Sequence, residues 1–197
     1  MNRADRKRWA AARTLADLGE LTALWLEGGI ASQPGYAPGC GPDPETAALI
    51  GVLAACNRAG FLTDASQPGE SSPGFDGAWW DQRAAVSGFA SAGTVARLCP
   101  VIGARLRIQV HDAPRRRFCY RTAIPVTLRE GQPYTRFGAG LPRRFLRGSY
   151  GECSRSAVRE VCAAKQVTIV DPEPGRNDRL WPALERFART TIEEAAS

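Results

Sequence analysis

Apolar positions along the chain recur with two different periods, and these divide it into helices and strands. Residues 4–12 predict a short helix carrying Trp9. Leu15, Leu18, Leu21, Trp25 and Leu26 repeat every three or four positions and predict a helix over 14–28. Thr14 stands as its N-cap with Asp17 three residues on, a capping-box arrangement, and Gly28-Gly29 ends it. A Pro/Gly-rich loop follows over 30–42. Asp43-Pro44-Glu45 is a strong helix start, with Asp as N-cap, Pro at the first helical position and an acid in the first turn. Leu49, Ile50, Leu53 and Asn57 continue that helix to Gly60.

Beyond Gly60 the pattern predicts a strand over 61–65, a loop over 66–77 and a helix over 79–90 with Ala85, Val86 and Phe89 on one side. A further helix starts at Thr94 and ends at Gly103. Residues 105–112 alternate, with Leu106, Ile108 and Val110 on one face and Arg105, Arg107 and Gln109 on the other, as in a half-buried strand. A turn at Asp112–Arg115 then predicts an antiparallel hairpin with a second strand over 116–128, followed by a third short strand over 133–137. Residues 138–151 predict a loop or short helix, 154–165 a helix, 167–170 a strand and 178–196 a final amphipathic helix through Leu180, Trp181, Leu184 and Phe187. This order predicts a single-domain α+β fold over 1–197, with one mixed or largely antiparallel sheet flanked by helices. Residues 1–13 form a basic N-terminal segment that can be flexible or a solvated helical face.

Composition narrows the class without naming a function. The chain has 197 residues, 44 % apolar and 23 % charged, and a net charge of +6, which suits a globular protein able to bury its own core. No apolar run reaches membrane-spanning length, and MNRADRKRWAAARTL has no apolar stretch of the signal-peptide kind. The expectation is therefore a cytoplasmic protein. The six cysteines show no CxxC spacing and accompany a single histidine, His111, which argues against zinc. They read as reduced, small apolar filler, with disulfide pairing as the alternative.

Candidate chemistry concentrates at 43–89. Glu45 and Thr46 sit in a helix's first turn, while Thr63, Ser66 and Gln67 sit where a strand runs out into a polar loop. Such positions can converge on a small molecule, although Glu45 can equally serve the helix dipole. Glu45, Asp64, Glu70 and Asp76 are carboxylates that could gather near the same stretch. His111, beside Asp112 at a strand end, is the single candidate general base, although a His-Asp pair at a turn more often serves structure, and no phosphate-binding glycine loop is present. Two arginine clusters, Arg115-Arg116-Arg117 and Arg143, Arg144 and Arg147, fit phosphates of a nucleic acid or an acidic partner. The other reading of these clusters is a solvated surface.

The stretch resembles the C-terminal regulatory domain of eukaryotic methylenetetrahydrofolate reductase. The matching residues are Glu45-Thr46, the run Asn57-Arg58-Ala59-Gly60-Phe61-Leu62-Thr63, then Ser66-Gln67-Pro68, and Gln82-Arg83-Ala84 to Phe89. VTIVDPEPGRNDRLWPALE at 167–185 looks like that domain's terminal strand, loop and helix. The chain also looks like a member of an uncharacterised bacterial family of stand-alone proteins with an NRAGF-T-x-x-SQPG signature. The reductase domain binds S-adenosylmethionine as an inhibitor, so the resemblance implies a non-catalytic module for that ligand or a related adenosyl compound, acting through a protein partner. It carries ligand contacts onto Glu45, Thr46, Thr63 and Ser66. For two further threonine contacts in the middle of that domain, Thr122, Thr127 and Thr135 are the candidates. The 197 residues have no room for the reductase's flavin-binding barrel beside this domain, so reductase activity is not implied. A nucleic-acid-binding protein using the arginine clusters, and an enzyme using the same pocket, are the other readings.

Overall fold

The computed structural model describes residues 1–112, 118 and 120–196. Two helices open the chain, α1 (Arg3–Ala11) and α2 (Leu15–Leu26). The Thr14 hydroxyl accepts from the Asp17 backbone N–H at 3.1 Å, and the Asp17 carboxylate accepts from the Thr14 N–H at 3.0 Å, the capping box expected at the start of α2. The N-terminal segment is docked on the domain. Trp9 is fully buried and its indole N–H donates to the Ser32 carbonyl at 2.8 Å, while the buried Asp5 carboxylate accepts from the Ala31 N–H at 3.0 Å.

After the loop, Pro44–Leu49 winds as a 3-10 helix and passes into α3 (Ile50–Arg58). Asp43 makes no capping hydrogen bond; its carboxylate lies beside the Tyr36 hydroxyl and helps to raise that group's pKa, after burial. The chain then runs through β1 (Phe61–Gln67), β2 (Glu70–Pro73), β3 (Trp79–Gln82), β4 (Ala85–Ala90), α4 (Ala92–Ile102) and β5 (Arg107–His111). A 3-10 turn at Tyr120–Thr122 leads to β6 (Ile124–Arg129), β7 (Gln132–Phe137), α5 (Arg143–Ser149), α6 (Arg155–Ala163), β8 (Lys165–Val170) and α7 (Leu180–Ala196). Among the described residues no helix is long and apolar enough to cross a membrane.

The architecture is α+β, and all its strand pairs are antiparallel. It holds two four-stranded sheets rather than one, in the orders β1-β4-β8-β5 and β2-β3-β6-β7. Helix α3 packs between α2 and α7, and α2 and α3 lie against β1, around a core that includes Leu18, Leu53, Phe61, Phe89, Leu184 and Phe187, all buried. A smaller cluster of Ala85, Ile124, Val126 and Val170 joins the sheets.

Three sequence expectations are corrected here. Residues 79–90 are strands β3 and β4, not a helix. β4 is central in its sheet and buried on both faces, so it shows a continuous apolar run rather than the alternation that marks a half-buried strand. Gly88 is also required there, because a Cβ would overlap the Leu62 carbonyl oxygen on β1. The predicted loop over 66–77 contains the end of β1 and all of β2, leaving Gly74–Ala78 as a hairpin turn. Among the described residues the expected hairpin of 105–112 with 116–128 does not form: β5 pairs with β8, and β6 belongs to the other sheet. The candidate turn itself falls largely on 113–117, outside the described residues.

Candidate functional site: a cleft divided by Asp64

The cleft begins with a bulge in β1. Thr63 pairs with Gly88 and Ala65 with Ser87, so Asp64 has no opposite number in the ladder. An extra residue of this kind bends its strand and re-aims a side chain. Asp64 therefore lines concave space on the protein's surface. Asp64 is exposed to solvent, yet the surrounding walls withdraw part of the water around its carboxyl and push it up to about 6.

On one side of Asp64 lies a cavity of about 170 Å³. Helix α2 contributes Thr22 and Trp25, the loop contributes Tyr36 and Asp43, the 3-10 helix Thr46, and β1 Thr63 and Ser66. Trp25 and Tyr36 meet edge to face with centroids 5.1 Å apart. Asn57, buried at the end of α3, sets the Thr63 side chain. Its amide donates to the Thr63 hydroxyl oxygen at 2.7 Å and to the Leu53 carbonyl at 2.8 Å, and its oxygen accepts the Thr63 N–H at 3.0 Å. The Thr63 hydroxyl is thus an acceptor toward Asn57, with its own proton left to donate. The Thr22 hydroxyl in the same wall is buried and has no partner. Such a group costs free energy unless something meets it.

On the other side lies a second space of about 230 Å³, which also has Asp64 and Ala65 in its wall. Its remaining walls include Phe89, His111, the turn at Gly138–Gly140, Gln166 and Thr168. The His111 Nε2 lies 3.0 Å from the Gly138 carbonyl oxygen and 2.9 Å from the Gln109 side-chain nitrogen, donating to the first in one tautomer and accepting from the second in the other. Gln166 donates to the Leu141 carbonyl at 2.8 Å, which fixes the glycine turn against β8. The Tyr150 hydroxyl is deeply buried without a partner; burial chiefly, and then the Asp64 carboxylate, raise its pKa well above the ordinary range.

Thr46, Thr63 and Ser66 come together in the first cavity. Glu45 does not line it: the residue is exposed and its carboxylate accepts from the Gln82 amide at 3.5 Å. Gln67 faces away. Its amide donates to the Arg83 carbonyl at 2.9 Å and the Val126 carbonyl at 3.1 Å, and its oxygen accepts from the Thr127 hydroxyl at 3.3 Å, which ties the two sheets together. The four carboxylates do not gather, since Glu70 and Asp76 line a separate concavity beside Trp80 on the second sheet. Thr127 is engaged with Gln67, Thr135 lies on β7 with its exposed run, and Thr122 lies in the 3-10 turn. Arg143 and Arg147 line another concavity with Arg159, Arg144 is exposed on the same helix, and Arg115, Arg116 and Arg117 lie outside the described residues. Sequence reasoning did not single out Thr22, Tyr36, Tyr150 or Thr168. Each looks like an ordinary core or loop residue until the elements around it are assembled.

Five cysteines are described, all as free thiols. Cys56 and Cys162 are buried and their thiols pushed up by that burial, whereas Cys40 and Cys99 are exposed and do not act as filler.

The two stretches with the most distinctive sequence meet in space. Gly69 donates its N–H to the Asn177 side-chain oxygen at 2.8 Å and accepts from the Asn177 amide at 2.9 Å, a contact across 108 positions. The Trp181 indole N–H donates to the same Asn177 oxygen at 2.9 Å. A Cβ at Gly69 would overlap the Arg176 backbone, so only glycine fits this approach.

Fold and cleft together define a two-sheet α+β chain with a divided pocket on the edge strand of its first sheet. The chain belongs to the family described as Domain of unknown function (DUF6919), whose model matches residues 4–191. No curated protein matches the chain.

Proposed function

We propose that the cleft binds an elongated small molecule with a cationic centre, S-adenosylmethionine or a related adenosyl compound. In this reading the chain is a non-catalytic module of the cytoplasm that acts through a protein partner. The observation that carries the reading is the convergence of Thr46, Thr63 and Ser66 on one cavity that Asp64 also lines. The resemblance of residues 43–89 to the reductase regulatory domain supports it, because three of the four ligand contacts carried over line that cavity and Glu45 adjoins it. Neither lobe alone reaches the roughly 300 Å³ of a typical small-molecule site. A ligand of adenosyl size must extend across Asp64 into both. The carboxylate then faces the middle of the ligand, where a sulfonium carries its permanent charge, and the threonine hydroxyls serve the polar groups at one end.

Calorimetric titration with S-adenosylmethionine and with its neutral demethylated product tests the proposal. Saturable binding of the cation, about tenfold or more tighter than the neutral compound, is expected from one charge-assisted contact. Asp64→Asn should abolish the preference, and Thr63→Val should weaken both ligands. Absence of heat at millimolar ligand, with wild type and Thr63→Val alike, would overturn it.

A further inference from the structure

The face built by α5 and α6 has chemistry that the cleft does not use. Arg143 and Arg147, one turn apart on α5, and Arg159 on α6 line a concavity of about 260 Å³ floored by Val158 and Cys162. Among the described residues none of these three arginines has an ion-pair partner. Some arginines elsewhere are paired: Arg58 holds Glu20 and Glu27, and Arg176 holds Glu173 and Asp178. The acids nearest in sequence, Glu152 and Glu160, do not line the concavity, and Glu152 faces Arg6. Three converging guanidinium groups without counter-charge form a site for an anion with several oxygens.

Aromatic rings stand on the other flank of the same short helix. Phe145 is two residues from both Arg143 and Arg147, which at 3.6 residues per turn sets it on the far side of α5, with the exposed Arg144 on the crest between them. Phe145 is 44 % exposed and meets Phe118 edge to face at 5.4 Å; Phe118 stacks on Tyr120 at 5.8 Å, and Tyr120 is 68 % exposed. Guanidinium groups on one side of α5 and partly exposed aromatic rings on the other match a polymer whose phosphates and flat bases alternate. A phosphopeptide would use the arginines but not the rings, and a lipid surface would need a broader apolar face.

We infer that this face binds single-stranded nucleic acid, with a phosphate in the Arg143–Arg147–Arg159 concavity and a base on the Phe145–Tyr120 side. The site is separate from the adenosyl cleft and stands or falls without it. Fluorescence anisotropy with a labelled 12-nucleotide oligouridylate and the matching oligodeoxythymidylate tests it, circular dichroism melts confirming that each variant is folded. Binding should weaken as salt rises, with a log–log slope of about −2, the value for three phosphate contacts on a single strand. The triple variant Arg143→Ser, Arg147→Ser, Arg159→Ser should lose roughly tenfold or more in affinity and flatten that slope. Phe145→Ala should lose roughly tenfold for the oligonucleotide and nothing for inorganic polyphosphate. No binding at low salt would overturn the inference. So would an unaltered triple variant, a Phe145→Ala variant unchanged for the oligonucleotide, or anionic phospholipid vesicles outcompeting it.

Discussion

Asn57→Ala should cost this protein about 3 kcal/mol, and the sum can be worked from three hydrogen bonds. Asn57 is 1 % exposed and joins α3 to β1 just before the bulge. Alanine removes its amide's contacts with the Leu53 carbonyl and the Thr63 hydroxyl, and the acceptor of the Thr63 N–H. The Leu53 carbonyl sits within α3, and the Thr63 hydroxyl faces the cavity, so those two losses cost about 0.5–1 kcal/mol each. The Thr63 N–H is different, because a buried donor left without an acceptor costs about 1–3 kcal/mol. For a chain of this size, about 3 kcal/mol lowers the melting temperature by roughly 6–12 °C. Urea unfolding followed by far-ultraviolet circular dichroism measures the change, with an unaltered m-value expected. Asn57→Asp sharpens the test. Its carboxylate still accepts the Thr63 N–H but donates to neither oxygen when ionised, so burial raises its pKa and its stability should improve as pH falls. A cost under about 1 kcal/mol for alanine, or an Asp variant equal to wild type at pH 8, would refute the reasoning.

Asp64→Asn should make the protein more stable above about pH 6 and leave it unchanged near pH 4. The native carboxyl is raised from its ordinary 3.8 to about 6, so the native state keeps a proton that the unfolded chain releases, and the stability attached to it is lost as pH rises through that window; equal pH profiles for the two proteins would count against the enclosed position of Asp64. Gly88→Ala drives a Cβ into the Leu62 carbonyl and to 2.9 Å from the Thr63 Cα, so a loss of about 3 kcal/mol in thermal unfolding is expected, and a change in melting temperature under about 2 °C would contradict it. Gln67→Leu leaves the Arg83 and Val126 carbonyls without their side-chain donor and should cost about 2 kcal/mol, with hydrogen exchange accelerating more in β6 than in β8; uniform exchange across both sheets would show that Gln67 does not tie them.

The helix starts were legible because their physics is local. Thr14 and Asp17 close a capping box within four residues, and the repeat of Leu18, Trp25 and Leu26 marks the buried side of α2. The α+β class follows from the same local patterns. The stretch 79–90 was misread because β4 is buried on both faces, and a strand without alternation cannot be told from a buried helix by periodicity. Asp43-Pro44-Glu45 did begin a helix, but as a 3-10 turn, with the Asp43 carboxylate turned toward Tyr36 rather than capping.

The cleft divides along the same line. Residue order alone picked out Thr46, Thr63 and Ser66, since hydroxyls at a helix start and a strand exit are visible one residue at a time. It could not separate Ser66 from its neighbour Gln67, because which of two adjacent strand residues faces the cavity and which the second sheet depends on the pairing of β1 with β4. Asp64 acquires its role from a bulge, and a bulge exists only relative to a partner strand. Thr22 acquires its role from burial without a partner in the cavity wall, which requires the surrounding elements to be in place. Short-range periodicity and capping, written in consecutive side chains, determined the helices and the class of fold. Strand pairing, the split into two sheets and the bulge that sets Asp64 in the cleft arise from contacts between residues far apart in the chain, and only the tertiary structure decided them.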